Sequence, residues 1–264
     1  MPTKKQHYIP RMLLKRFTIF HIPMKKPLIY QYDKEKRIER LVDIYDICRK
    51  NYLYEIRNES GIISHEEINL IENGFSHLES VWNRIIDKIE QEKNITQNDK
   101  CMLGILLVLQ LMRMPEIMKF MSAWLYDKSA YVGKPITQNE ADRYMKLASF
   151  VWGNVEPSTN WILNILLENI LADKDIVIYH SNSNFILNGD RPVLCLNSFK
   201  TDDINNCIWL LPISKNYCIG LTNKGTTLYK DIDENLTNFI NMHNFQNNGR
   251  YIYGSESILD QIDN

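Results

Sequence analysis

The order of apolar and polar residues predicts a chain with a strand-rich start, a helical middle and a strand-rich end. Residues 28–32 and 38–42 are rich in strand-forming side chains and flank the polar run 33–36, which predicts a β-hairpin. Residues 51–55 predict a short third strand. Before the hairpin, apolar residues spaced three and four apart predict a helix over residues 11–17.

The middle of the chain shows helical spacing. Apolar residues recur every three or four positions over residues 68–89, directly after a Ser-His-Glu-Glu run at residues 64–67 that is typical of a capping box. The run Thr96 to Asp99 predicts a second capping box at the start of another helix, and residues 101–112 are apolar on nearly every side, as in a buried helix. Pro115 is expected to bend this helix because it removes a backbone hydrogen bond.

Two more helices and a strand-rich region follow. Thr137 is expected to cap a helix with Tyr144 on its inward face, and residues 157–170 predict another. From residue 175 the apolar residues follow strand spacing instead, which predicts an antiparallel meander with a late helix and a closing strand. The predicted strands are 176–179, 185–187, 193–196, 209–212, 217–221 and 251–254, and the late helix is 235–245.

These elements together predict an α+β fold in which a central helical bundle is flanked by an antiparallel sheet. The N-terminal hairpin and the C-terminal meander are both expected to contribute to that sheet, because one hairpin alone is barely stable. We predict one domain over residues 1–264 with three sublobes: 1–58 for the N-terminal helix and hairpin, 64–173 for the helices, and 175–264 for the antiparallel strands with the C-terminal helix.

Composition narrows the choice of function and location. The formal net charge of −1 carries no overall signal for nucleic acid, so any basic surface must be local. The five cysteines are scattered without a paired C-x-x-C spacing, which argues against a disulfide framework or a zinc knuckle. The N-terminus has no signal peptide pattern, and the apolar run 101–112 is shorter than the roughly 20 residues that span a bilayer. We therefore expect a cytoplasmic protein with no membrane association.

The extreme N-terminus concentrates candidate chemistry. His7 lies just before the predicted helix, and Arg11 and Lys15 lie one turn apart on one helical face. A helix start favours anions, so these residues predict an anion or phosphate site with His7 as the proton carrier. The alternative is a solvated basic face with a packed histidine.

Gln110 and Arg113 are polar residues within the predicted buried helix. A buried charge costs several kcal/mol unless it is paired. Arg113 therefore requires either a buried carboxylate, in a structural salt bridge, or an anionic ligand. Both alternatives remain open from the sequence.

Two further groups come from the C-terminal half. Asp190 precedes Arg191 and Pro192 in a stiff turn, where its carboxylate could pair with Arg113 or Arg11, orient His7, act as a base, or only shape the loop. Asn241 and Asn244 share a face of the late helix, and their amides could donate to a phosphate or carbonyl oxygen, or simply lie on the surface.

Three of these segments carry a resemblance. His-Tyr-Ile-Pro at residues 7–10 with Leu-Lys-Arg-Phe at 14–17, Gln-x-x-Arg-x-Pro at 110–115, and Asp-Arg-Pro-Val at 190–193 resemble the bacterial family of domain of unknown function 4238. The family also has an acidic residue at the position of Glu79 and asparagines in the late helix. Asn-Gly at 188–189 departs from the Thr-Ser that is commoner in the family. By association, the resemblance suggests a bacterial or phage-linked defence effector.

The leading functional hypothesis is an enzyme that acts on a phosphate-containing substrate, namely a nuclease or another phosphodiester hydrolase acting on RNA or DNA. No Walker loop, dinucleotide fingerprint, zinc-peptidase motif or serine-hydrolase elbow is present, and the remaining candidates are mostly donors and cations. The cofactor is open, and a divalent metal ion held by Asp190 is one alternative. The predicted catalytic residues are His7, Arg113 and Asp190, and the predicted substrate-binding residues are Arg11, Lys15, Gln110, Arg191, Asn241 and Asn244.

Two other hypotheses use the same residues. In the first, the protein is a non-catalytic binding module for a nucleotide-like or acidic ligand. In the second, it is a structural protein whose polar cluster is a buried ion-pair network, so that loss of Arg113 unfolds the chain.

Overall fold

The structure is a computed structural model, which describes residues 1–19, 26–58, 60–65, 67–148, 174–195, 209–247 and 249–262. It has the predicted α+β class, with helices packed against mainly antiparallel sheets. The strands are β1 Lys5–His7, β2 Leu28–Asp33, β3 Ile38–Asp43, β4 Arg49–Asn51, β5 Lys174–His180, β6 Leu187–Asn188, β7 Leu194–Cys195, β8 Trp209–Pro212, β9 Tyr217–Asn223, β10 Tyr229–Asp231 and β11 Tyr251–Gly254. The helices are α1 Arg11–Leu14, extended by a 3-10 turn Lys15–Phe17, α2 Leu70–Glu90, α3 Gln97–Met112, α4 Pro115–Tyr131, α5 Gln138–Ala148, α6 Glu234–Gln246 and α7 Ile258–Ile262.

The strands of the described residues form two sheets and a short ribbon. The hairpin β2–β3 pairs with the C-terminal strands β11 and β6 in the order β3-β2-β11-β6, so both chain ends share a sheet as predicted. The other C-terminal strands lie in a second sheet with the order β10-β5-β9-β8-β7, in which β10 runs parallel to β5. The predicted meander is therefore divided between two sheets.

The ribbon consists of β1 and β4, which pair antiparallel with His7 opposite Arg49. The prediction of a strand over residues 51–55 was wrong in position, since β4 ends at Asn51. The following Tyr52 has a φ of 53°, and this left-handed conformation turns the chain out of the strand.

Helix α2 begins later than predicted. The capping box at residues 64–67 was wrong, because α2 starts at Leu70 and its N-cap is Asn69 with a φ of 57°. The Asn69 side chain accepts a hydrogen bond from the Thr3 backbone N–H at 2.6 Å, and its backbone N–H donates to Glu55 Oε2 at 3.2 Å. Contacts with distant segments, which local sequence does not show, thus determine the start of α2.

Helix α3 has the predicted capping box between Thr96 and Asp99, and it is buried continuously from Leu103 to Gln110, while its first turn is largely exposed. Pro115 does more than bend it. Met114 is extended with ψ 128°, Pro115 occupies the first turn of α4, and the two helices make an angle of 76°. Among the described residues, no one helix has both the length and the apolar character to cross a membrane, and only this bent pair taken together passes that test.

The core lies where α3 contacts α2, β5 and β8. Helix α5 forms as predicted, but Tyr144 is 39% exposed, whereas Ala141 and Met145 are buried, so the inward assignment of Tyr144 was wrong. The inward face is set by the contact of α5 with α4, a helix that the sequence pattern did not predict. The helix predicted over residues 157–170 lies outside the described residues.

Candidate functional site

The end of α3 holds the backbone of the N-terminal motif in place. The carbonyl oxygen of His7 accepts hydrogen bonds from Arg113 Nη2 at 2.9 Å and from the Tyr54 hydroxyl at 3.3 Å. The next carbonyl, of Tyr8, accepts a hydrogen bond from Gln110 Nε2 at 2.9 Å. Two of the three motif segments therefore meet directly, and Gln110 and Arg113 fix the position of His7.

Arg113 is 1% exposed and its charge is paired within the protein. Its Nη1 donates to Glu79 Oε1 at 2.9 Å and its Nε donates to the Tyr54 hydroxyl at 3.2 Å. The guanidinium carbon lies 4.0 Å from the centre of the Phe75 ring, within the range of a cation–π contact. Of the two alternatives left open for Arg113, the structure shows the salt bridge, and Glu79 supplies the carboxylate.

The His7 imidazole is partly buried and surrounded by arginines. Burial and the charges of Arg11, Arg49 and Arg113 lower its pKa to about 4, against the raising effect of a hydrogen bond with the Ile44 backbone. His7 is therefore neutral at pH 7.

The two ring nitrogens of His7 have different roles. In the neutral ring, the nitrogen that bonds a backbone carbonyl carries the proton, so the other nitrogen is an acceptor. Nε2 is buried and has no hydrogen-bond partner among the described residues. The chain thus holds an unprotonated imidazole nitrogen beside three arginines.

The ribbon presents further cations on the same face as His7. Side chains alternate along a strand, so Lys5 and His7 share a face, and Arg49 is the cross-strand neighbour of His7. Arg49 donates to Asp46 Oδ1 at 2.6 Å in a surface pair, and the Arg11 guanidinium lies 5.4 Å from the centre of the Tyr45 ring. We call Lys5, His7, Arg11 and Arg49 the cationic cluster.

Lys15 lies in different surroundings from Arg11. It lines a separate cavity of about 480 Å³ with Arg16 and Lys215. Arg16 forms ion pairs with Asp87 at 2.7 Å and with Glu90. Helix α1 is only four residues long, which is too short for its N-terminus to form an anion site.

Asp190 anchors its loop to β11. Its Oδ2 accepts hydrogen bonds from the backbone N–H groups of Arg250 at 2.5 Å and Tyr251 at 3.2 Å. The turn itself is closed by Asn188, whose Oδ1 accepts from the N–H groups of Asp190 at 3.0 Å and Arg191 at 2.8 Å. Asn188 therefore has the turn-shaping role considered for Asp190. It does so at a position where the sequence departs from the Thr-Ser that is commoner in the family.

The Asp190 carboxylate also lies beside the N-terminal motif. Burial, then the Cys48 thiol and the Asp190 carboxylate, raise the pKa of Tyr8 well above its usual value, so the phenol stays protonated. The third motif segment thus approaches the first at Tyr8, the residue next to His7.

The side chains of Asn241 and Asn244 bond helix α6 to the residues just before strand β6. Asn241 Oδ1 accepts from the Ile186 N–H at 3.0 Å, and its Nδ2 donates to the Asn184 carbonyl at 2.8 Å. Asn244 Nδ2 donates to the Ile186 carbonyl at 3.4 Å, while its Oδ1 has no partner within the described part of the chain. Both side-chain amides therefore bond protein backbone.

The predicted residues therefore fall into three groups. His7, Arg11, Gln110 and Arg113 lie together, and Asp190 approaches them at Tyr8. Arg191 lines two hollows, of about 470 Å³ and 710 Å³, and Asp190 lines the second of them as well. Lys15 lines a cavity with Arg16, Asn241 bonds the residues before β6, and the Asn244 carbonyl accepts a hydrogen bond at 2.9 Å from Asn188 Nδ2 in the loop of Asp190.

The family described as "Protein of unknown function (DUF4238)" matches residues 5–257. The chain belongs to this family. No curated protein and no solved structure matches the chain. The match covers all three motif segments and carries no assigned activity.

The described ranges contain few side chains suited to metal binding or to thiol catalysis. No group of three or more His, Cys, Asp or Glu side chains there is arranged to hold a metal ion. Cys48 and Cys101 are free thiols. Cys48 is fully buried, and burial raises its pKa well above the usual value, so it is a protonated thiol and not a nucleophile at neutral pH.

Sequence reasoning missed two charged residues of the site: Arg49, opposite His7, and Glu72, near Arg113 and Arg11. Arg49 gave no sequence signal, because its position depends on the pairing of β1 with β4. Glu72 did give one, since it lies three and seven residues before Phe75 and Glu79 on the face of α2 that meets Arg113. Burial raises the pKa of Glu72, and its Oε2 has no hydrogen-bond partner among the described residues.

Proposed function

We propose that this protein is an enzyme that hydrolyses a phosphodiester, with RNA or DNA as the substrate and His7 as the proton acceptor. The observation that supports it is the neutral His7 imidazole with an unprotonated Nε2, next to Arg11, Arg49 and Arg113. Burial is the main cause of the lowered pKa of His7, and the charges of Arg11 and Arg49, which contribute to it, also attract an anionic substrate.

The roles divide between the cluster and its supports. His7 accepts a proton from the attacking water or hydroxyl, and Arg11 and Arg49 stabilise the charge that develops on the phosphoryl oxygens. Arg113 and Gln110 act as positioning residues, because their donors hold the carbonyls of His7 and Tyr8. Asp190 positions its loop through the N–H groups of Arg250 and Tyr251.

The test is cleavage of a panel of labelled single- and double-stranded RNA and DNA, with EDTA and separately with Mg²⁺ or Mn²⁺. We expect His7→Ala to reduce cleavage by about 10²-fold or more, the range typical of a lost proton carrier. Arg49→Gln is expected to weaken cleavage, while Lys15→Gln, which changes a cation of the cavity of about 480 Å³ beside Arg16, is expected to leave it unchanged. Absence of cleavage by the wild type under all conditions, or equal cleavage by His7→Ala, would contradict the proposal.

A second candidate function is a binding module for a nucleotide-like or acidic ligand without turnover. The observation that favours it is that Arg113 and Asp190, two predicted catalytic groups, use polar atoms on protein partners, and that His7 Nε2 is buried. This function predicts that a nucleotide raises the melting temperature while no product forms, since a ligand that binds the native state stabilises it.

The biological setting is part of the same proposal. A cytoplasmic, nucleic-acid-cleaving member of a bacterial family would fit a role in defence against phage. Expression of the wild type and of His7→Ala in bacteria challenged with phage tests this role, with protection expected from the wild type alone.

A further inference from the structure

A cavity of about 470 Å³ lies beside the site described above. Its walls come from the junction of α3 with α4, from the loop after Asp190, and from the end of α6. The first two walls belong to motif segments, and the proposed hydrolysis uses neither of these surfaces. The volume lies within the range of small-molecule pockets, roughly 300–1,000 Å³.

The lining of the cavity suits a flat, largely apolar group with a polar edge. Met114, Ile117 and Val193 supply apolar walls. The His243 ring lines the cavity and is held by an edge contact with Phe239 at 4.3 Å between ring centres. The amide of Gln246 at the rim offers both a donor and an acceptor, as the edge of a nucleobase requires.

Arg191 joins this cavity to a neighbouring groove of about 710 Å³, since it lines both. Within the described part of the chain, its ion pair is with Glu116 at 3.8 Å, and the two side chains are 43% and 70% exposed. Such surface pairs contribute little stability, so Arg191 can exchange Glu116 for a phosphate at little cost. Arginine is also well suited to phosphate, because its planar donors bond two oxygens together.

One side chain connects the cavity wall with the His7 segment. Gln110 Nε2 donates to the Tyr8 carbonyl at 2.9 Å and lies 3.6 Å from Met114 Sδ. A ligand in the cavity is therefore separated from the motif backbone at His7 and Tyr8 by the wall of Met114 and Gln110.

We propose that this cavity binds the base of a nucleotide, with Arg191 bonding a phosphate of the same ligand. This inference rests on the proposed function and specifies its substrate class, because it assigns a base-binding subsite to the nucleic acid. Ile117 and Met114 provide the apolar contact, and Gln246 bonds the base edge.

The test is isothermal titration calorimetry of the full chain with AMP, GMP, CMP and UMP. Ribose 5-phosphate and inorganic phosphate are the ligands without a base, and adenosine is the ligand without phosphate. We expect at least one nucleotide to bind at least tenfold more tightly than ribose 5-phosphate. Equal affinity for nucleotides and ribose 5-phosphate, or binding of none of them, would overturn the inference.

Two variants separate the base subsite from the phosphate contact. Ile117→Trp fills the cavity and is expected to weaken nucleotide binding by about tenfold or more, while Lys119→Trp, at an exposed position of the same helix, leaves it unchanged. Arg191→Gln, at a half-exposed position that does not threaten folding, is expected to weaken AMP binding about tenfold without affecting adenosine. Unchanged nucleotide affinity in Ile117→Trp would refute the subsite.

The binding assay also distinguishes this inference from the proposed function. Nucleotide binding that depends on Ile117, without any cleavage of nucleic acid, supports the subsite and refutes the hydrolase. Cleavage that depends on His7, with Michaelis constants unchanged in Ile117→Trp, supports the hydrolase and refutes the subsite.

Discussion

Replacing Arg113 by Met tests whether the N-terminal motif is held by a buried ion pair. Met keeps an apolar stem over the Phe75 ring but removes every donor, so Glu79 and the His7 carbonyl each lose a hydrogen bond of 2.9 Å. Removing one partner of a buried ion pair costs about 3–5 kcal/mol. Glu79 is 24% exposed, so water recovers part of this, and we expect a loss of about 3 kcal/mol, the lower end of the range.

The assay is urea unfolding followed by circular dichroism, with the free energy of unfolding and the m-value fitted together. In a thermal scan the same loss corresponds to a fall of roughly 6–12 °C in the melting temperature. The matched control is Arg143→Met, because Arg143 is 51% exposed and pairs with Glu67 at 2.8 Å. For this surface pair we expect a loss of at most about 1 kcal/mol.

A double variant identifies the source of the loss. In Arg113→Met, the Glu79 carboxylate is left without its cation, so adding Glu79→Gln is expected to recover part of the stability. If Arg113→Met and Arg143→Met cost the same, or if Glu79→Gln causes a further full loss in the Arg113→Met background, then the reasoning from the buried pair is refuted.

Other predictions concern pH and the loop around Asn188. The pKa of His7 is lowered from 6.5 to about 4 in the folded chain, so the unfolded chain binds a proton at His7 more readily. The contribution of neutral His7 to stability is therefore complete above about pH 6.5 and is lost as the pH falls towards about 4. His7→Gln is expected to remove this part of the pH dependence of the free energy of unfolding, measured by urea titrations. Asn188→Ala removes the acceptor for two backbone N–H groups and is expected to cost about 2 kcal/mol in thermal unfolding. Gly249→Ala places a methyl group 2.6 Å from Asn188 Oδ1 and is expected to cost about 1–3 kcal/mol in the same assay.

Each of these has a result that contradicts it. The same pH slope in His7→Gln and in the wild type would show that His7 is not the group that titrates. Melting at the wild-type temperature would show that the Asn188 turn, or the close approach at Gly249, is unimportant for stability.

Local sequence was sufficient where one element carries its own pattern. The hairpin β2–β3, the capping box of α3 and the helix α6 form as predicted, because alternation, capping residues and helical spacing act over a few neighbouring residues. Local sequence was not sufficient where contacts or a helix break determine the bounds of an element. Helix α2 starts at Asn69 through contacts with Thr3 and Glu55, and α4 exists because Pro115 begins a new helix where a bend was predicted.

For the candidate site, the sequence by itself determined which residues need partners: an arginine in an apolar helix requires a counter-charge, and the three motif segments assign the chain to its family. Only the tertiary structure decided which partners they have. It pairs Arg113 with Glu79, 34 residues away in the sequence, and places Arg49 opposite His7 across the ribbon. The physical reason is that burial penalises any unpaired charge wherever it lies in the sequence, whereas the partner depends on strand register and helix packing, which form between residues far apart in the chain.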